Sequence, residues 1–262
     1  MPTGTRRVTS HDELLTATDG DPFVRYEIPD DLPKPAFVYG RSALMARRTH
    51  NGWAGMAAIG DAEGIGRILQ DLTGEPTLAG ISTITVPRSS FDELAPQLAL
   101  TGEGGDWDWM WIDGPTNRLP IDDRIVTLDD SADAAELTAL NVRGNPSAES
   151  EPGSGRTELW LGARKDSGAI VAAGALHRNA AGAGHLTGIV VDPDHRGTGL
   201  GAAVTVALTR AAIQRPGRIS GVCTLGMYAT NDVARRLYQR LGYRTAQAFA
   251  SRRIRPLGPT PG

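Results

Sequence analysis

The spacing of apolar and polar residues divides the second half of the chain into strands and helices. Short apolar runs predict strands, and apolar residues three and four positions apart predict amphipathic helices. GNPSAESEPGSGR at 144–156 predicts a polar loop. The pattern predicts six strands, at 124–128, 157–164, 170–178, 185–191, 221–227 and 243–249. It also predicts three helices: one that Ser131 caps, one at 201–214, and one that begins at Thr230 or Asn231 and ends at Gly242.

The first half shows a weaker pattern of the same order. Corresponding points in the two halves lie 135 to 141 residues apart, which indicates an internal repeat of domain size. The last segment of the chain, RRIRPLGPTPG at 252–262, is expected to be mobile with solvated charges. In the first half the pattern predicts strands at 52–59, 81–86 and 107–112, helices at 67–72 and 91–100, and a glycine turn, GDAEGIG, at 60–66.

Composition and charge restrict the class of protein. The net charge of −3 gives no electrostatic reason to expect a nucleic-acid or membrane partner. No stretch approaches the roughly 18 apolar residues of a membrane span, and MPTGTRRVTS does not resemble a secretory signal. The single cysteine, Cys223, suits a reducing compartment, so we expect a cytoplasmic protein. Because Cys223 lies in an apolar strand, we expect a buried structural thiol rather than a nucleophile.

The segment VVDPDHRGTGLGAAVT at 190–205 is the strongest candidate for chemistry. Three glycines in five positions lead into a helix, whose N-terminal N–H groups favour a phosphate, and Arg196 adds a cation. A tight structural turn is the alternative. The spacing also fits a dinucleotide fingerprint, but no acidic residue follows between Asp194 and Asp232, and too few elements follow for a doubly wound sheet. A P-loop is excluded, because neither lysine, Lys34 or Lys165, follows such a glycine.

Two motifs in this half resemble those of the GNAT N-acetyltransferase superfamily. RGTGLG at 196–201 is similar to its R/Q-x-x-G-x-G/A acyl-CoA loop, preceded by IVVDP at 189–193, which resembles its fourth strand. NDVARRLYQRLGY at 231–243 is similar to its N-x-x-A-x-x-L-Y-x-x-x-G-F/Y signature. The resemblance covers roughly residues 122–250 and implies a GNAT-like α/β fold of the α+β type with a mixed sheet.

The resemblance implies transfer of an acetyl group from acetyl-CoA directly to a primary amine, on a small molecule or a protein. The loop amides would hold the coenzyme A pyrophosphate, and the strand before them would guide the pantetheine arm. Asn231 would contact the coenzyme, cap its helix, or do both. No metal site is implied. The implied coenzyme-binding residues are Ile189, Val190, Val191, Arg196, Gly197, Thr198, Gly199, Leu200, Gly201 and Asn231.

Tyr238 is the candidate general acid for the departing thiolate. It lies two helical turns after Asn231 and shares its helix face, and Val233, Leu237 and Leu241 are expected to form the neighbouring apolar face. The alternative is a core tyrosine.

The general base is less clear from the sequence. The strand carboxylate that some family members place twelve residues before the tyrosine is replaced by Gly226. His185 aligns with a histidine of arylalkylamine acetyltransferases and has a suitable unperturbed pKa. His177 is a weaker candidate, and ordered water could also accept the proton.

The first half is expected to be a degenerate copy. Its equivalent glycine segment carries Asp61 and Glu63, which would repel a pyrophosphate, and its helix at 91–100 has no tyrosine. Trp107, Trp109 and Trp111 alternate along one strand and are expected to face a core or an interface, with an acceptor lining as the alternative.

These observations predict two GNAT-like domains in tandem, a degenerate one at 1–118 and a catalytic one at 119–256. The expected partners are acetyl-CoA and an amine acceptor, with no nucleic acid and no membrane, and a homodimer is left open. Two other functions remain: a sensor that binds acyl-CoA without transferring its acyl group, and an NAD(P)-dependent enzyme.

Overall fold

The computed structural model describes residues 4–48, 54–73, 80–114, 116, 119 and 122–257. Its twelve strands are β1 Arg6–Val8, β2 Ala36–Tyr39, β3 Ser42–Arg48, β4 Ala54–Ile59, β5 Ile81–Pro87, β6 Leu100–Ile112, β7 Val126–Leu128, β8 Leu159–Arg164, β9 Ile170–Arg178, β10 Gly184–Val191, β11 Cys223–Tyr228 and β12 Arg244–Leu257. The seven α-helices are α1 His11–Ala17, α2 Pro22–Glu27, α3 Ala62–Asp71, α4 Phe91–Leu94, α5 Ala134–Gly144, α6 Leu200–Gln214 and α7 Asp232–Arg240.

The chain folds into two compact units that are not contiguous in sequence. Unit 1 comprises 1–109, 227–231 and 245–262, and unit 2 comprises 110–226 and 232–244. The domain boundary that the sequence repeat predicts between residues 118 and 119 stays a prediction.

Unit 1 is built on a sheet with the strand order β1-β2-β3-β4-β5-β12-β6. Neighbouring strands from β1 to β4 are antiparallel, whereas β4 and β5 are parallel and are joined through α3. The core beside α3 contains Leu44, Met56, Ile65, Ile68 and Ile84. Strand β12 completes this unit by pairing with β5, although it follows β11 and α7 in sequence.

Unit 2 repeats this order of pairing in the strands β11-β10-β9-β8-β7. Its strands are antiparallel except for β10 and β11, which are parallel and are joined through α6. Ala173 and Ala175 pack with Leu137 and Leu140 of α5. A Cβ added to the intervening Gly174 would instead meet Val204 and Leu208 of α6. Because alternate strand residues face opposite sides, α5 and α6 cover opposite faces of this sheet.

The predicted mixed α/β fold is confirmed, with some corrections at its edges. Asp133, rather than Ser131, precedes α5, because the Asp129 carboxylate binds the N–H groups of Ser131 and Ala132 in a preceding turn. The helix expected at 91–100 ends at Leu94, where Ala95 precedes a proline, a position that disfavours α-helix.

The expected mobility of the last segment is wrong over residues 252–257. These residues continue β12, and Ile254 is buried in the core of unit 1. The sequence signal failed here because the partner strand, β5, lies more than 150 residues earlier in the chain. Residues 258–262 lie outside the described residues. Within the described part of the chain, no helix has the length and apolar character needed to span a bilayer.

Candidate active site

Strand β10 is irregular at its middle. Its register with β9 shifts by one residue between Thr187 and Val190, and Gly188 adopts a φ of +61°. A side chain at Gly188 would lie 2.2 Å from Ser150 Oγ, so the bulge requires glycine for space as well as for conformation. The parallel pairing with β11 covers only Gly184, His185 and Leu186. The part of β10 after the bulge therefore has backbone groups that pair with β9 on one side only, among the described residues.

The residues after β10 form a loop that is fixed on both flanks to the end of α5. Asp192 pairs with Arg143 and also accepts a hydrogen bond from the N–H of Asp194. The guanidinium of Arg196 donates to the Gly144 carbonyl over 2.8 Å. The Arg143 guanidinium is the first cause of a lowered pKa of the Asp192 carboxyl. These contacts hold the loop ahead of α6 in one conformation.

The loop ends at an uncapped helix N-terminus. Gly197 and Gly199 adopt φ values of +77° and +87°, which only glycine adopts without strain. Gly199 is the N-cap residue of α6, no side chain caps this end, and the first helical bond runs from the Ala203 N–H to the Gly199 carbonyl. Both glycines are exposed, and a Cβ at either would meet nothing within 4 Å. Strand β10, α6 and α7 approach one another next to this loop: a Cβ on Gly201 of α6 would lie 3.4 Å from Val191 of β10 and 3.8 Å from Leu237 of α7.

The side chains of the predicted coenzyme-binding residues divide into exposed and buried groups. Arg196 and Thr198 are exposed, and the Thr198 hydroxyl donates to the His195 carbonyl over 2.7 Å. Leu200 and Val190 point into the core, so only their backbone groups could contact a ligand. Ile189 and Val191 are half-buried. A ligand on this segment would be held mainly by backbone amides.

His185 lies before the bulge, in the part of β10 that pairs with both β9 and β11. Its Nδ1 lies 2.9 Å from the hydroxyl of Thr224 on β11. His177 is its cross-strand partner on β9, and the Nε2 of His177 lies 3.0 Å from the hydroxyl of Thr157. Both histidines are half-buried. The two candidate bases are therefore neighbours on one face of the sheet.

Tyr238 is the only buried residue of α7. Its side chain packs near the Tyr243 ring, with 5.9 Å between ring centroids, and 8% of the residue surface remains exposed. Burial raises the pKa of its phenol to about 12, so the hydroxyl keeps its proton throughout the neutral range. Asn231 directly precedes α7 and is exposed, and it is grouped with unit 1.

The expected apolar face of α7 needs one correction. Val233 is 73% exposed, whereas Leu237 and Leu241 are half-buried. The apolar residue at the start of the helix is thus not part of a packed face.

Cys223 is a buried thiol within a hydrogen-bonded network. It accepts a hydrogen bond from the Tyr243 hydroxyl, which also lies 2.7 Å from the Thr209 hydroxyl of α6. Burial raises the pKa of this thiol to about 12. A thiol that stays protonated is a poor nucleophile, in agreement with the expected structural role.

The corresponding strand–helix junction in unit 1 has different chemistry. The segment expected as a glycine turn is helical from Ala62 onward, and the Asp61 carboxylate caps α3 by accepting from the Gly64 N–H over 2.7 Å. A side chain at Gly60 or Gly64 would collide with Ser42, so these glycines serve packing. The pairing of β3 with β4 is regular throughout. Unit 1 has a capped helix after a regular strand, and unit 2 has an uncapped helix after a bulged one.

The three alternating tryptophans pack against other side chains of the protein. Trp109 is fully buried and donates to Glu27, and Trp107 donates to the Ser251 hydroxyl. The guanidinium of Arg244 lies 4.0 Å from the ring centroid of Trp111 in unit 2. These contacts agree with the core interpretation rather than with an acceptor lining.

The match to a protein family falls on the unit that contains the bulge and the uncapped helix. Residues 133–243 match the family model of the GNAT acetyltransferases. These residues form a GNAT domain. No curated protein matches the sequence significantly.

Solved structures share the fold over nearly the whole chain. A GNAT-family protein from Novosphingobium aromaticivorans is 21% identical with a TM-score of 0.53, over 94% of this chain and 97% of its own. A GCN5-related N-acetyltransferase from Sphaerobacter thermophilus is 20% identical with a TM-score of 0.53, over 100% and 99%. A tandem GNAT protein from the clavulanic acid biosynthesis pathway is 16% identical with a TM-score of 0.50, over 98% and 100%. At these identities the likeness concerns the fold.

Sequence reasoning missed the residues that support the GNAT domain's loop and strand. Ser150 packs against the bulge, Arg143 pairs with Asp192, and Thr224 binds His185. None of the three has a local sequence signal, because each acts on a residue at least 38 positions away in the chain.

Proposed function

We propose that this protein transfers an acetyl group from acetyl-CoA to a primary amine, and that unit 2 carries the reaction. The observation that carries the proposal is the uncapped N-terminus of α6, with Gly197 and Gly199 in left-handed conformations directly after a bulged strand. Free N–H groups and the positive end of the helix dipole suit a pyrophosphate, and the open space at both glycines leaves room for it. Arg196 adds a cation on the exposed side of the loop.

The irregular part of β10 suits the pantetheine arm in the same proposal. Ile189 to Val191 follow the bulge, beyond the last pair with β11, so the edge of this segment that faces away from β9 could pair with an extended amide chain. The Ile189 carbonyl also accepts from the Asn145 side-chain amide over 3.5 Å. Asn231, at the start of α7, is proposed as a further contact with the coenzyme. The side chains of this strand are partly or fully packed, so the proposed recognition is of backbone type.

Tyr238 and His185 are the proposed acid and base. His185 takes a proton from the ammonium form of the acceptor, and the freed lone pair attacks the acetyl carbon. As the tetrahedral intermediate collapses, the carbon–sulfur bond breaks, the nitrogen releases its second proton to water or to the leaving sulfur, and the Tyr238 hydroxyl donates a hydrogen bond to the departing thiolate. Because burial raises the pKa of Tyr238 to about 12, a hydrogen bond that stabilises developing charge is a larger part of its role than complete proton transfer.

One acetyl-CoA per chain is proposed, because the helix in unit 1 that corresponds to α6 already carries a carboxylate cap. The Asp61 side chain occupies the Gly64 N–H, one of the groups that a phosphate would need, and adds a negative charge. Titration calorimetry with acetyl-CoA tests the stoichiometry, and two sites would contradict it. Thiol release with a panel of small amines and peptide N-termini tests the reaction. Binding of acetyl-CoA without thiol release from any acceptor would favour the sensor function.

A further inference from the structure

Thr224 connects His185 to the backbone of its own strand. This threonine lies on β11 in register with His185, and none of its surface is exposed. Its hydroxyl donates to the Gly184 carbonyl over 3.2 Å and lies 2.9 Å from the His185 Nδ1. As a β-branched residue within a strand, it has a restricted χ1 angle, which keeps the hydroxyl oxygen between these two partners.

One tautomer of His185 satisfies both of these hydrogen bonds. A hydroxyl has one hydrogen, and a carbonyl oxygen can only accept. Because both contacts are hydrogen bonds, the hydroxyl must donate to the Gly184 carbonyl and accept from the His185 Nδ1; a hydroxyl that donated to Nδ1 would leave two lone pairs facing each other at Gly184. The neutral imidazole therefore carries its proton on Nδ1, and Nε2 is the nitrogen with the lone pair.

We propose that Thr224 is a positioning residue that holds His185 in the Nδ1–H tautomer, so that Nε2 is the nitrogen that accepts the acceptor's proton. This inference rests on the proposed acetyl transfer for its catalytic meaning, but the tautomer itself does not depend on it. When Nε2 takes the proton from the ammonium group, the imidazolium keeps its Nδ1–H bond to Thr224 and the amine regains its lone pair. The ring keeps one orientation before and after the transfer.

The assignment is tested first by nitrogen chemical shifts of the full chain labelled with ¹⁵N-histidine. His185→Gln identifies the His185 signals by their loss. At a pH where the imidazole is neutral, the wild-type protein should show the Nδ1–H form. Thr224→Val, which keeps the side-chain shape, should shift His185 toward the Nε2–H form, and Thr224→Ser, which keeps the hydroxyl, should not. A wild-type His185 in the Nε2–H form would overturn the proposal, even if Thr224→Val failed to fold.

Kinetics then separate positioning from a structural role. Thr224→Val should lower kcat roughly 10- to 100-fold, toward the low end of general-base effects, because the wrong tautomer presents a hydrogen to the amine. KM for acetyl-CoA should not change, and Thr224→Ser should recover most of the turnover. A folded Thr224→Val variant that retains wild-type kcat would remove the positioning role. If no amine is acetylated by the wild-type protein, the proposed function fails, and the nitrogen shifts still decide the tautomer.

Discussion

Tyr238 shows at the scale of one residue how burial changes a chemical role. Its phenol is shielded enough to raise the pKa to about 12, and no hydrogen bond to its hydroxyl is found among the described residues. Compared with a solvated phenol, it is a poorer source of a complete proton and an equally good hydrogen-bond donor. It therefore suits the stabilisation of a thiolate that is only partly formed.

Tyr238→Phe should leave the fold intact and slow the reaction. The ring and its contact with Tyr243 remain, and no hydrogen bond to another of the described residues is lost. We expect about a 100-fold loss in kcat, the low end for general acids because water substitutes in part, with KM for acetyl-CoA unchanged. Steady-state kinetics and circular dichroism check this. Wild-type turnover in a folded variant, with chemistry rate-limiting, would exclude Tyr238 as the acid.

The raised pKa of Cys223 leads to a prediction of how the free energy of unfolding depends on pH. Burial raises the pKa of its thiol from 9.0 to about 12 in the folded chain, so above pH 9 the unfolded chain loses a proton that the folded chain keeps. Unfolding is then favoured as the pH rises, by about 1.4 kcal/mol for each unit between the two values.

Urea denaturation at pH 8 and pH 10 measures this contribution. The wild-type protein should lose about 1.4 kcal/mol more between these two pH values than Cys223→Ala, which lacks the thiol. The raised pKa values of Tyr238 and Tyr243 add an alkaline loss to both proteins. Because burial is the first cause of both shifts and remains when the thiol is removed, the comparison isolates the cysteine. Equal losses in the two proteins would show that the thiol titrates alike when folded and unfolded.

At the scale of elements, two helices in equivalent places differ in how they begin. Helix α3 begins with an aspartate that caps its own backbone, and α6 begins with a left-handed glycine and no cap. The first arrangement stabilises a helix by roughly 1 kcal/mol, and the second leaves N–H groups for a ligand. The residue at the N-cap position thus decides whether the first N–H groups of these helices are occupied by the protein's own side chain.

Gly199→Glu should abolish acetyl-CoA binding, because it places a carboxylate at the N-terminus of α6 where the pyrophosphate is proposed to lie. Gly168→Glu is a matched control. Gly168 has a φ of +91° and open space around it, as Gly199 does with +87°, so both variants carry similar backbone strain. Calorimetry should give no detectable binding for the first and wild-type affinity for the second. Equal affinities would place the coenzyme elsewhere.

At the scale of the whole molecule, sequence order and spatial grouping differ. Strand β12 is the last element in the chain, but it pairs with β5 of unit 1 from Phe249 to Leu257. Segments 227–231 and 245–262 belong to unit 1 although they follow most of unit 2 in sequence. A unit that depends on such distant segments cannot complete its sheet from the first half of the chain alone.

A chain that ends at Ala250 should be markedly destabilised, because it leaves much of β5 as an uncovered edge and removes the buried Ile254. Loss of that side chain alone should cost at least about 2 kcal/mol. A chain that ends at Leu257 is the control and should match the full-length protein. Urea denaturation followed by circular dichroism compares the three. Equal midpoints for the chain ending at Ala250 and the full-length protein would contradict the role of β12.

The sequence by itself determined the features that are local. Apolar periodicity located the strands and helices of unit 2, since burial of one face imposes that spacing. The glycines marked the turn before α6, which is left-handed at Gly197 and Gly199 in the structure. The motifs also led to the GNAT domain that the family model matches at 133–243. Tertiary structure decided whatever depends on a distant partner. The distant Ser42 hydroxyl accepts from the N–H of Asp61, the residue that caps α3, and strand register set Thr224 beside His185. Pairing with β5 ordered residues that composition marked as a loose tail, because a strand's hydrogen bonds are satisfied by whichever strand lies next to it in space.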